Sequence, residues 1–202
     1  MPALPIPSRV AALAAIMSLC AAAASAAPAP VVSDLRQGGY VVVMRHAHAP
    51  GERPGPGAAA SGNTLGERQL DAEGRRTAEA MGAAIRATGV PVGEVFVSPA
   101  FRAMETARYA GLVGAVATPE LGDGGSSMAA QASGPAGDAW LRAKVAQPPR
   151  AGTNTFIVTH GPNISRAFNA ELADGEAIVF RPGAGGPVKA GQVKIDAWGP
   201  AD

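Results

Sequence analysis

Tyr40-Val41-Val42-Val43-Met44-Arg45-His46-Ala47-His48 sets an unbroken apolar run against a cluster of cationic and imidazole side chains. The run has strand length and is rich in β-branched residues. It does not alternate with polar residues, so both faces should be covered, as in a parallel sheet. Two further runs resemble it: Val95-Phe96-Val97 and Thr155-Phe156-Ile157-Val158-Thr159. Each also ends in reactive or charged side chains. Ser98-Pro99-Ala100-Phe101-Arg102 follows the second, and His160-Gly161-Pro162 the third.

Helical segments lie between the runs. Asp71 is placed to cap a helix reaching Thr88, closed by Gly89 with Pro91 beyond. Ala72, Ala80, Met81, Ala84 and Ile85 supply its apolar face. A second helix should start near Ala100 and run through Tyr109, a third should cover Asp138 to Val145, and a fourth should follow Pro162. Ala177 to Phe180 and Val188 to Ile195 read as two more strands around a Gly/Pro turn. The expected fold class is α/β: a three-layer sandwich with a mostly parallel central sheet flanked by helices. Pro50 to Gly66 and Gly122 to Gly137 are long Gly/Pro-rich loops, each either a lid over a site or a floppy segment.

The first residues look like an address rather than part of the fold. Arg9 precedes an apolar run from Val10 to Ala24, too short and Ala-rich to span a bilayer comfortably. Ala24-Ser25-Ala26 then offers the small residues a signal peptidase reads. The expected division is a signal peptide at 1–26, cleaved after Ala26, and one domain at 27–202, with Ala27 to Asp34 as a linker. The expected location is the periplasm or outside the cell, with no stable membrane anchor after cleavage. Cys20 lies inside the removed segment, so thiol catalysis, zinc–thiolate sites and disulfides are excluded from the mature chain. Net charge is +1 and aromatics make up 4% of residues, which argues against a nucleic-acid partner.

In an open parallel sheet, ligands bind beyond the carboxyl ends of the strands. If the three strands are adjacent and parallel, Arg45, His46, Arg102 and His160 meet in one crevice. Arginine presents a fork of donors matched to phosphate oxygens. A neutral imidazole can attack phosphorus and carry the phosphoryl group covalently. A second imidazole, protonated against the phosphate, adds a donor. The helix starting near Ala100 could aim backbone N–H groups at the anion. The constellation requires no metal and no cofactor. His46-Ala47-His48 lacks the surrounding carboxylates or cysteines of a metal site.

These blocks resemble the histidine phosphatase superfamily, of phosphoglycerate mutase-like fold. Arg45-His46-Ala47 is similar to its Arg-His-Gly/Ala motif. Ser98-Pro99-Ala100-Phe101-Arg102-Ala103-Met104-Glu105-Thr106-Ala107 is similar to its second block, and Val158-Thr159-His160-Gly161 to its third. Arg68-Gln69-Leu70-Asp71-Ala72-Glu73-Gly74-Arg75 resembles the segment that opens the first long helix. The resemblance implies His46 as nucleophile, Arg45 and Arg102 as phosphoryl clamp, and His160 completing the pocket, without a metal. Gly161 stands where the acid-phosphatase branch has Asp, so the chain resembles the other branch. Leu121-Gly122-Asp123 is the nearest match to that branch's proton donor; Glu120 competes, and some small members have no such acid.

The resemblance implies a phosphomonoesterase acting on a small-molecule phosphate ester. A phosphotransfer mutase and a non-catalytic phospholigand-binding module are the alternatives. His48 reads as a solvated loop residue, and Arg53 and Asn63 as loop residues. Glu105 is placed to orient Arg102 one turn away. Thr106, Ala107, Trp140 and Trp198 read as packing residues.

Overall fold

The computed structural model describes residues 29–50, 66–123 and 134–199 of the chain. The expected signal segment 1–26 with Cys20, the loop residues Arg53 and Asn63, and most of the two long loops lie outside the described residues.

The strands are β1 Val41–Arg45, β2 Val92–Val97, β3 Val116–Ala117, β4 Asn154–Thr159, β5 Ala177–Arg181 and β6 Val188–Val193. They form one six-stranded sheet in the order β3-β2-β4-β1-β5-β6. β4 is central, with β1 and β2 parallel to it on either side, and β3 runs parallel to β2. β5 is antiparallel to β1, and β6 is antiparallel to β5. Among the described strands, then, β5 opposes the others. The sheet is mostly parallel, and the three reactive strands are adjacent.

The helices are α1 Pro30–Leu35, α2 Ala72–Ala87, α3 Phe101–Tyr109, α4 Pro135–Val145 and α5 Gly161–Phe168. Strand alternation divides their packing into two layers. Val42 and Met44 of β1, with Phe156 and Val158 of β4, face Met81 and Ile85 of α2 and Ala103 and Ala107 of α3. Val41, Val43 and Ile157 point the other way, onto Leu141 and Val145 of α4 and Ile164 of α5. This is why the apolar runs are continuous: each face has its own helical cover. Trp198 packs against Phe156 and Trp140 against Phe96, both as expected.

Asp71 caps α2 through its Oδ1, which accepts the Gly74 N–H at 2.7 Å. Gly89, just past the end of α2, takes φ +70°, where side chains are strained.

Several elements differ from those expected of the sequence. Pro30–Leu35 is a helix, not a linker; Pro30 suits its first turn, and Val31, Val32 and Leu35 are buried in the core. α4 begins at Pro135, inside the stretch read as loop, because Pro135 starts the helix that Asp138 was expected to open. The last strand stops at Val193 and leaves Ile195 outside it. β3 and a 3-10 turn at Pro119–Leu121 carried too little periodicity to be seen.

Candidate active site

Strand register brings the reactive residues together. Arg45 pairs with Thr159 across β1 and β4, so His46 and His160 leave the sheet side by side. The His46 N–H donates to Thr159 O at 3.0 Å, and its carbonyl accepts the Gly175 N–H at 3.0 Å. The Ser98 N–H donates to Val158 O at 2.9 Å, bringing the end of β2 to the same edge. α3 starts there and carries Arg102 inward. The imidazoles of His46 and His160 meet edge to face, with centroids 5.3 Å apart.

Hydrogen bonds settle the tautomers. His46 Nδ1 lies 2.8 Å from Ala47 O, a pure acceptor, so Nδ1 carries the proton. Nε2 then holds a lone pair, and Arg102 Nε donates to it at 3.2 Å. Arg102 Nη2 donates to His160 Nδ1 at 3.1 Å, so the His160 proton sits on Nε2 and faces Ser98 Oγ at 2.8 Å. Both imidazoles are therefore neutral. Burial, with Arg102, Arg45 and Arg68 nearby, pushes His46 down to about 3 against the opposing pull of Ala47 O. Burial and Arg102 also hold His160 well below the usual histidine range.

Arg102 is the hub. It is 3% exposed, touches both imidazoles, and forms a 2.7 Å ion pair from Nη2 to Asp123 Oδ2. Its Nη1 is buried and finds no acceptor among the described residues. A buried guanidinium N–H left unpaired is costly, so an anion is the natural complement at that point. Arg45 lies at the rim. Its Nη1 donates to Leu172 O at 2.9 Å, and Nη2 lies 2.7 Å from Asp174 Oδ1. The sequence-level candidates Arg45, His46, Arg102, His160 and Asp123 thus fall in one place. Glu120 makes no hydrogen bond or ion pair with them among the described residues.

Several contacts were not read from the sequence. The Arg68 charge adds to the depression of both imidazoles, and its Nη2 donates to Ala49 O. Its place in the block before Asp71 was the available signal. Thr106 does more than pack: its Oγ1 accepts the Ala47 N–H at 3.0 Å and donates to Arg102 O at 2.8 Å, tying the His46 loop to α3. Glu67 takes the Phe101 N–H at 2.8 Å, and Ser98 Oγ takes that of Ala100 at 3.2 Å. The Ala100 and Phe101 amides at the start of α3 are therefore spent within the protein rather than aimed at a ligand.

Glu105 does not orient Arg102. Its Oε2 accepts the Leu70 N–H at 2.9 Å, and its Oε1 lies near Arg75 and Arg108, because a buried carboxylate takes the partners that satisfy it. His48 is anchored rather than simply solvated, with Nδ1 2.9 Å from Asp71 Oδ2. Among the described residues no group of three or more His, Cys, Asp and Glu side chains is arranged to hold a metal ion.

The two depressed imidazoles have a consequence for stability. Below the usual histidine value of 6.5, the unfolded chain takes up protons that folded His46 refuses until about pH 3. The His46 contribution is complete above pH 6.5 and is lost as pH falls towards 3. Urea unfolding at pH 7 and pH 4.5 should show wild type losing about 2 kcal/mol more than His46→Asn on acidification. Equal losses would contradict the neutral, buried state of His46.

The architecture is the α/β fold of the histidine phosphatases, phosphoglycerate mutase-like. The structure is similar to that of the protein histidine phosphatase SixA complexed with tungstate, with TM-score 0.55 and 18% identity over 77% of this chain and 97% of that one. It is also similar to the ecdysone phosphate phosphatase from Bombix mori in complex with tungstate, with TM-score 0.55 and 16% identity over 75% and 92%. A phosphoserine phosphatase from Entamoeba histolytica in complex with phosphoserine gives TM-score 0.51 and 14% identity over 77% and 97%. A scan against protein-family models finds no match, and a search of curated proteins finds none.

Proposed function

We propose that the protein is a phosphomonoesterase that hydrolyses a small-molecule phosphate ester through a phosphoryl group carried on His46. The observation that carries this reading is the pairing of His46 Nε2, unprotonated and buried, with Arg102, whose Nη1 waits for an acceptor. Two of the similar structures hold tungstate, a tetrahedral oxyanion like phosphate, which supports a phosphoryl ligand for a protein of this fold.

In the proposed reaction the substrate phosphate takes Arg102 N–H donors, including the Nε–H that otherwise rests on His46 Nε2. That frees the lone pair for in-line attack. The bond from Nε2 to phosphorus forms, the ester P–O bond breaks, and the departing oxygen keeps the electron pair and gains a proton. Water then attacks the phosphohistidine and returns His46 with inorganic phosphate. Arg45, Arg102 and His160 offset the charge on the equatorial oxygens. Asp123 is our candidate for donating the proton; as a carboxylate on Arg102 it carries none, so it first takes one up from water and then passes it to the departing oxygen. Residues 1–26 would direct the enzyme to the periplasm or beyond, a reading that rests on their sequence pattern. A mutase suits such a location poorly, since its glycolytic substrate is cytosolic.

The test is release of inorganic phosphate from an aryl phosphate by the purified chain. Steady release that survives excess chelator is expected, because arginines do the work that a metal would otherwise do. No release, or release abolished by the chelator, would contradict the proposal.

A further inference from the structure

Asp123 sits where an incoming phosphate would compete with it. Arg102 has its Nε–H on the His46 nucleophile, and its Nη2 divides between Asp123 and His160. Its Nη1 has no acceptor among the described residues. A phosphoryl group held by a guanidinium fork needs two adjacent donors, and both forks of Arg102, Nε with Nη2 and Nη1 with Nη2, include Nη2. Nη2 is already bound to Asp123 at 2.7 Å. A dianion and a carboxylate cannot share that nitrogen without like charges in contact.

The Asp123 carboxylate is also held in place deliberately. Its side chain is 5% exposed. Asn163 Nδ2 donates to Leu121 O at 3.1 Å and to Gly122 O at 2.7 Å, and Thr159 Oγ1 donates to Leu121 O at 3.1 Å. These buried bonds fix the backbone just before Asp123 against β4 and α5. The arrangement has a physical reason. Arg102 is out of water, and a buried cation stripped of its partner is strongly destabilising.

Resting on the phosphatase reading of this pocket, we infer that Asp123 is the resident counter-anion of Arg102, displaced from Nη2 by the phosphoryl group of the substrate. Binding then exchanges one anion for another on a guanidinium that stays buried. The exchange weakens phosphate binding and so favours release of the inorganic phosphate product. This role is separate from proton donation, which concerns the leaving oxygen.

The experiment uses inorganic phosphate as probe, with affinity measured by calorimetry and stability by thermal melting, on wild type and Asp123→Asn. Asp123→Asn should bind phosphate at least tenfold more tightly. Without phosphate it should melt below wild type, and saturating phosphate should close the gap. Unchanged or weaker phosphate affinity would overturn the inference, as would a failure of both proteins to bind phosphate. If Asp123→Asn is insoluble, Arg102→Gln/Asp123→Asn should be soluble and melt at or above Arg102→Gln alone; an insoluble double variant beside a soluble Arg102→Gln overturns the inference. Unchanged phosphate affinity of Asp123→Asn beside ester hydrolysis by wild type would remove the counter-anion role and leave the phosphatase. A tenfold gain beside a wild type that hydrolyses no ester would do the reverse.

Discussion

His46→Ala should lower hydrolysis of an aryl phosphate by at least about 10⁴-fold, the scale seen when a covalent nucleophile is removed. The substitution deletes the one nitrogen that the geometry offers to phosphorus. Arg45, Arg102 and His160 would remain, so phosphate should still bind. The fold should also survive. The backbone bonds from His46 to Thr159 and Gly175 do not involve its side chain. Arg102 Nε would lose its acceptor, at a cost of about 1–3 kcal/mol. The check is a steady-state assay beside a phosphate-binding measurement. Loss of turnover with binding retained is the expected pair of results. Turnover within tenfold of wild type would mean that another group attacks.

Gly74→Ala should destabilise the chain by about 2–3 kcal/mol and lower turnover with it. By helix propensity alone, alanine in place of glycine inside α2 would stabilise by about 1 kcal/mol. Packing reverses that sign. A Cβ on Gly74 would lie 2.1 Å from His48 O, a backbone atom that a rotamer change cannot move. Either α2 must lift or the His46–His48 loop must retreat. The same loop is tied to α3 through Thr106, so its retreat would spread to Arg102. Urea unfolding and the aryl phosphate assay measure the two effects. A more stable Gly74→Ala protein with full activity would contradict the close contact between α2 and the nucleophile loop.

The core of the site was legible because its residues sit where the chain changes character. Arg45, His46 and His160 end apolar runs, and Arg102 follows one by a few residues, so strand adjacency was enough to join them. α2 was legible for a local reason: the Asp71 cap, the apolar face and Gly89 all lie within one segment. What stayed hidden depends on contacts distant in sequence. Glu105 lies one turn from Arg102, yet its partner is the Leu70 amide, 35 positions away. Asp174 meets Arg45 across the sheet edge, and nothing near Asp174 in the sequence marks it. α1 was missed because so short a helix is held by docking Val31, Val32 and Leu35 into the core, not by its own propensity. Thr106 looked like a packing residue because a buried threonine in a helix usually is one. Its second hydrogen bond becomes visible only when β1 and α3 are placed together.

The central claim is that His46 takes the phosphoryl group covalently. Rapid mixing with a phosphate ester labelled on phosphorus, followed by quench and mapping of the label, tests it most directly. The account predicts label on His46 within the first turnover, acid-labile as a phosphohistidine should be, and absent from His46→Ala. Phosphate that is bound and released without label ever reaching His46 would contradict it, and would leave the protein a phosphate-binding module on the same fold.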